Sequence, residues 1–543
     1  MTNTGLTRRD VLKAGAGAVT VATLARAMPA SAQTPRRGGV FRIAAGDPQH
    51  FDPHLTVGWA TMIALSFTHS RLLKHKAGPS VTPGTFPLEG DLAESWTQPN
   101  DTTYVFKLRR GVRWHPKPPV NGRELTAEDV KYTYERLLAP ATNNPNRTVL
   151  EEIDKVEAVD RYTVRFTLKS PFAWFLDAVA HTVAWIVPRE AVEQYGDLKR
   201  PEAVIGTGPW MLDRYEPNVR LVWTRNPDYF VPGLPYADGV EAAMGGDPAS
   251  ALARWLGGQF DFAPGLGMVV RRLDLEAVKK RKPQLQTSEF IWMVGGFAAM
   301  KLDQEPFRDV RVRRALYQAT NFKDLLDASP LGLGQGAFSP TVPPALIEWS
   351  IPIDQLTPQG RLLYEYDPAA AARLLAEAGY ASGIKVPFET MTGGPDWLDG
   401  VQALQRSWKG AGIDAALKVK EAGAFLSSAM LGRFDRLMFG MRGGVMFPDP
   451  YLASFHLPGV RTNSSGVNDP KLTELIKRQR RTLDPAKRRE IVWEAQRHAA
   501  EQAYYLWGSS SRVVAAWEPY VKNFGPNLGN DYGGRLMTAW LDR

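Results

Sequence analysis

Apolar and polar positions alternate along parts of this chain and recur at helical spacing along others. Tyr104, Phe106 and Leu108 alternate with Val105, Lys107 and Arg109, and Gly111 follows, which predicts a half-buried strand. Tyr162, Val164, Phe166 and Leu168 alternate with Thr163, Arg165 and Thr167 in the same way. Asp160-Arg161 reads as a hairpin turn between this run and Val156 and Ala158. Elsewhere the period lengthens. Thr126 followed by Asp129 approximates a capping box, and Val130, Tyr134, Leu137 and Leu138 then share one helical face. Asp367-Pro368 supplies an N-cap and a first-turn proline ahead of Leu374, Leu375 and Ala378, with Gly379 as the stop. Asp484-Pro485 opens another helix, with Ile491, Ala495 and Ala499 on one stripe. These are scaffold signals of a mixed α/β protein and carry no chemistry.

The chain has 543 residues, too many for one ordinary core, so two or three lobes are expected. No repeat is visible at solenoid periods, and glycine and proline are spread over many loops. Lobes that exchange chain segments fit this better than domains joined by a flexible linker. The net charge is +9, but 66 basic residues are scattered among 57 acidic ones without a basic run, which argues against nucleic acid as a partner. There are no cysteines, so disulfides, thiolate metal sites, cysteine nucleophiles and lipid attachment to cysteine are excluded.

The N-terminus reads as an address. Residues 7–13 are TRRDVLK, the run from Ala14 to Ala25 is apolar but too short to span a bilayer, and Ala30-Ser31-Ala32 is a small-residue cleavage site. The Arg8-Arg9 pair, followed by Leu12-Lys13, resembles a twin-arginine export signal, with Val11 where that pattern usually has Phe. Cleavage after Ala32 removes four basic residues and one acidic one, which lowers the charge from +9 to +6. A soluble periplasmic protein is the expectation.

Catalytic signatures are missing. No H-E-x-x-H helix, phosphate-binding P-loop or G-x-S-x-G elbow occurs, and the Gly332/Gly334/Gly336 loop lacks the spacing of a dinucleotide fingerprint. The one metal-like cluster is His50, Asp52 and His54, which Pro53 keeps off a common helical face. Structural or cleft-edge roles are expected for these three residues, with no metal, cofactor or catalytic residue. Tryptophan is more suggestive. Trp59, Trp114, Trp210 and Trp397 sit near Gly or Pro rather than on periodic faces, and rigid aromatic walls suit a cleft that buries a small molecule.

The mature chain resembles the family 5 extracellular solute-binding proteins, the group of dipeptide-, oligopeptide- and nickel-binding proteins. The similarity is carried in order by GDLAESW (90–96), VFKLRRGVRW (105–114), LTAEDVKYTYER (125–136), GTGPW (206–210), RNPDYF (225–230), PFRDVRVRRAL (306–316), YDPAAAARLLAEAG (366–379) and WKGAGID (408–414). One departure is the Pro-rich stretch from Trp114 to Gly122, where the family often has F-H-D-G-T-P.

The resemblance implies an α/β protein of the type II periplasmic binding protein kind, with two hinged lobes around a cleft plus an extra domain. It places residues 33–80, 205–288 and 510–543 in a first lobe, 81–204 in a second domain and 289–509 in a third. It also implies no catalysis and a monomer that captures a small solute and delivers it to an ABC permease. The alternatives are a periplasmic interaction protein, such as a chemoreceptor partner, and an enzyme on the same scaffold. The candidate ligand-binding residues are Trp59, Trp292, Trp397, Met441, Arg442, Met446 and Asp449.

Peptide-binding members hold the ligand's ammonium with an Asp four residues before the Pro of an Asp-Pro or Glu-Pro pair. Counted back from Pro450, Met446 stands at that position. Met supplies no counter-charge, so a free peptide N-terminus is not the expected ligand unless Asp449 takes over the role. Arg442 would favour an anionic or polar acceptor group instead.

Overall fold

The computed structural model describes residues 34–543 except 245, 330, 394, 527 and 528; the stretch expected from the sequence to be an export signal lies outside the described residues. Residues Arg37–Arg543 form one compact unit.

The local expectations are met where the pattern is strongest. Thr103–Leu108 and Thr163–Leu168 are neighbouring antiparallel strands, flanked by Ala93–Asn100 and Ile153–Asp160 in a four-stranded sheet. Ala127–Leu138 is a helix with a reciprocal capping box, because the Asp129 carboxylate accepts from the Thr126 N–H at 2.8 Å. Val130, Tyr134 and Leu137 of its inner face join Phe106 and Phe166 of the sheet in one core. Helix Pro368–Glu377 is capped by Asp367, which accepts from the Ala370 N–H at 2.8 Å, and Gly379 just beyond it takes φ +93°, a conformation that costs glycine least. In helix Pro485–Gln502 Val492 joins Ala495 and Ala499 in the core, while Ile491 is only partly buried.

Two further bodies frame the site. In one, a four-stranded sheet runs in the order Val40–Ala44, Gly239–Ala243, Arg220–Arg225, Trp210–Glu216, its first pair parallel and the others antiparallel. It packs on helix Trp59–Ser66 and shares its core with the C-terminal segment around Phe524, Tyr532 and Leu541. Beside it lies an antiparallel sheet in the order Val269–Val270, Ser510–Trp517, Gln286–Ile291.

The other body centres on a five-stranded sheet in the order Ile413–Lys420, Ile384–Met391, Leu437–Arg442, Gly295–Met300, Tyr505–Trp507. Both of its faces are covered. Leu437, Phe439, Ala298 and Met300 point into one core, while Met438, Phe297 and Ala299 point into another, as the two-residue period of a strand requires. The chain crosses between these bodies from Ile291 to Gly295, from Ala337 to Thr341, and from Trp507 to Ser510.

Candidate functional site

The crossings meet at a cavity of about 440 Å³. One wall comes from the first body: Gly265, Leu266 and Val269, with Arg271 at the margin. The opposite wall comes from the five-stranded body: Leu325, Trp397, Phe439 and Met441. The floor is formed by the crossing strands themselves, through Gly295, Gly296 and Gly508, with the Ser509 and Ser511 residues beside them. The cavity is thus largely apolar, with hydroxyls at one side and, among the described residues, no carboxylate in its wall. Such a surface suits a small organic solute, which gains most when buried from both sides.

Two tryptophans form rigid walls. Trp292 is 5% exposed; its backbone N–H donates to the Ser511 carbonyl at 2.8 Å, which fixes the chain there at a crossing. Trp397 donates its indole N–H to Thr390 Oγ1 at 3.0 Å and lies tilted against Phe439, ring centroids 5.1 Å apart. With that hydrogen bond satisfied internally, Trp397 offers its ring rather than a donor. Met441, 42% exposed, points into the cavity from the strand that also carries Phe439.

The remaining sequence candidates lie elsewhere. Trp59 stands behind the wall, edge-on to Trp292 with centroids 5.9 Å apart. Arg442 lies on the other face of its strand and is wholly buried. It donates from Nη1 to the Thr341 carbonyl at 2.8 Å and from Nη2 to Ser510 Oγ at 3.2 Å, and its guanidinium sits 5.2 Å from the Trp507 ring centroid. Burial pulls its pKa down to about 10. Arg442 therefore ties two of the crossings together rather than facing the cavity.

Met446 is buried, with its Cε packed against the backbone of Gly529. Asp449 is buried too; it accepts from Arg480 Nε at 2.8 Å, from Arg480 Nη2 at 3.0 Å and from Gln479 Nε2 at 2.6 Å. The run from Gly443 to Pro448 carries no charged side chain, so shifting the alignment by two residues still places no carboxylate there.

His50, Asp52 and His54 make structural contacts. Arg136 donates to both Asp52 oxygens, at 3.2 and 2.6 Å, and the N–H groups of His54 and Leu198 add two more bonds. Burial alone would raise the Asp52 pKa, but Arg136 outweighs it and holds the carboxyl below its ordinary range. His54 bridges Arg136 and the Trp185 carbonyl, so its two ring nitrogens are both engaged.

The sequence reading missed the glycine floor. The signal was present as Gly295-Gly296 inside an otherwise apolar strand, a pattern that marks close approach of another group. A Cβ on Gly296 would stand 2.2 Å from Phe439 Cζ.

Bodies joined by short crossings, with a solute-sized apolar cavity where the crossings meet, define a hinged solute-binding protein. Residues 87–463 match the family described as bacterial extracellular solute-binding proteins, family 5 middle, and the chain belongs to that family. Di/tripeptide-binding protein 1 of Pseudomonas aeruginosa is 30% identical over 511 residues, covering 88% of this chain and 90% of that protein. A periplasmic binding protein of Helicobacter pylori in complex with a peptide superposes with a TM-score of 0.79 at 24% identity, covering 94% of this chain and 99% of that one. The protein AgaA of A.tumefacien R10, in complex with agropinic acid, superposes with a TM-score of 0.78 at 22% identity, covering 93% of this chain and 99% of that one. The fold is that of a type II periplasmic binding protein, and the function is that of a solute-binding protein.

Proposed function

We propose that the protein works in the periplasm, after removal of residues 1–32, as a monomer that captures a small organic solute with an apolar or aromatic body and passes it to a permease. It performs no catalysis of its own. The observation that carries this reading is the wall of the 440 Å³ cavity, built from Trp292, Trp397, Phe439 and Met441 without a carboxylate. The first lobe combines residues 33–80, 205–288 and 510–543, the second domain is 81–204, and the third is 289–509. Closure between the first and third buries the solute. Trp292, Trp397 and Met441 touch it, Trp59 and Arg442 support those contacts, and Met446 and Asp449 hold the neighbouring segment in place.

The Pseudomonas aeruginosa relative is a di/tripeptide-binding protein, and one structural neighbour holds agropinic acid. In this chain the run Gly443 to Pro448 offers nothing to hold a free peptide N-terminus, and Asp449 is committed to Arg480. Unpaired, a buried ammonium costs several kcal/mol.

Native mass spectrometry of protein released from the periplasm tests this. A single small organic adduct is expected, and Arg8→Lys with Arg9→Lys should hold the precursor in the cytoplasm. Micromolar calorimetric binding of ordinary dipeptides, abolished by blocking the amine, would overturn the ligand class.

A further inference from the structure

A second cavity of about 450 Å³ opens beyond the C-terminal ends of the parallel strands Val40–Ala44 and Gly239–Ala243. The carboxyl ends of parallel strands are where open α/β sheets bind ligands, because the loops there diverge and leave a crevice. Asp47 stands in this wall, three residues past the strand. Its two oxygens are each met by one neutral donor: Tyr215 Oη–H reaches Oδ1 at 2.8 Å and the Asn218 N–H reaches Oδ2 at 2.9 Å. No Lys, Arg or His pairs with it among the described residues. A carboxylate has about four acceptor positions, so two remain, on a half-buried group whose orientation is already set by its two donors.

This cavity adjoins the first. Leu266, 48% exposed, lines both of them. A smaller hollow between them shares Gly246, Ala251 and Pro264 with one and Pro248, Gly265 and Val269 with the other. Charge along this whole surface is sparse. Arg271 and Asp274 face each other at 2.7 Å and cancel, which leaves the Asp47 carboxylate as the net charge among the described lining residues. A largely apolar cavity beside a more polar compartment that holds one carboxylate without an ionic partner selects a cation at that polar end.

We propose that Asp47 is a cation-binding subsite, so that the ligand is an amphiphile with an apolar or aromatic body between Trp292 and Trp397 and a basic nitrogen, as an amine or guanidine, in the compartment beyond Leu266. The proposal rests on the solute-binding reading and adds the charge and polarity of the solute to it. It also places the basic group away from the run Gly443 to Pro448, which has no carboxylate.

Three probes of matched shape test it: 3-phenylpropylamine, 3-phenylpropan-1-ol and 3-phenylpropanoate, titrated by calorimetry against the full mature protein. The amine is expected to bind about tenfold or more tightly than the alcohol, with the acid weakest, the factor that one charge-assisted hydrogen bond supplies. Asp47→Asn should bring the amine to the level of the alcohol and leave the alcohol unchanged, while Asp160→Asn, on the distant hairpin, should keep the preference. Circular dichroism shows whether each variant is folded. If amine and alcohol bind equally, or if Asp47→Asn keeps the preference, the subsite is overturned while the apolar cavity stands. If no probe binds, the cavity reading fails with it.

Discussion

Arg480 and Asp449 meet through two parallel hydrogen bonds, 2.8 and 3.0 Å long, between helix Pro470–Arg481 and the first turn of helix Asp449–His456. Both are buried, and Arg480 also reaches Glu151 at 3.2 Å. Burial works against the Arg480 charge, but Asp449 and Glu151 together raise its pKa above the ordinary value. Removing one partner of such a pair leaves a buried charge unmatched, at about 3–5 kcal/mol, whereas replacing both with apolar groups costs far less. Asp449→Asn should therefore lower the urea midpoint strongly, and Asp449→Leu with Arg480→Met should recover part of it. Equal losses in the single and double variants would show that the pair does not act as a unit.

Six histidines, five of them buried and His181 half-buried, have pKa values pushed down in the folded chain, by burial first: His54, His115 and His181 to about 3, and His69, His75 and His456 to about 4. Unfolded, each titrates at about 6.5. Below that pH the unfolded chain binds protons that the folded chain refuses. Their contribution to stability is full above about pH 6.5 and is lost as the pH falls toward 4, by up to about 1.4 kcal/mol per pH unit for each group. Urea unfolding at pH 7 and pH 5 should give a clearly lower midpoint at pH 5. A flat profile would show that these imidazoles accept protons while folded.

Asp177 works the other way. Burial lifts its carboxyl to about 7, and the pull of Arg488 does not restore it. The folded chain keeps a proton that the unfolded chain releases between about pH 4 and 7, so this group costs stability as the pH rises through that window. The residue is partly exposed, and water relieves part of the cost. Asp177→Asn should stabilise the protein at pH 8 by about 1–2 kcal/mol and leave pH 4 nearly unchanged. An equal effect at both pH values would place the gain in packing rather than ionisation.

The hairpin from Ile153 to Leu168 and the helix after Thr126 were legible because their signals are local: a two-residue period, a cap and a box within a dozen positions. The cleft was not, because its wall joins segments near 266, 292, 397, 440 and 509, and no period relates positions so far apart. Trp59, Trp292 and Trp397 were legible as candidate ligand-binding residues, but only the fold separates the two that face the cavity from the one behind. Asp449 and Arg442 illustrate the limit. Charge near a suspected site reads alike whether it serves a ligand or a partner such as Arg480, 31 positions along the chain.

Gly296 offers the most direct test of the cavity. It lies opposite Met441 in the antiparallel register, on the face that carries Phe439, and a Cβ there would collide with the far end of the Phe439 ring. The ring can give way only by swinging into the cavity it lines, which removes space meant for the solute. Alanine suits a strand backbone better than glycine, so the fold itself has little to lose. Gly296→Ala should lower affinity for the co-purifying solute at least tenfold in a competition measurement, with a melting temperature within a few degrees of the parent. Trp397→Ala, which takes away a wall instead of filling the space, should weaken binding about as much through lost contact area. Unchanged affinity in both variants would move the solute out of this cavity altogether.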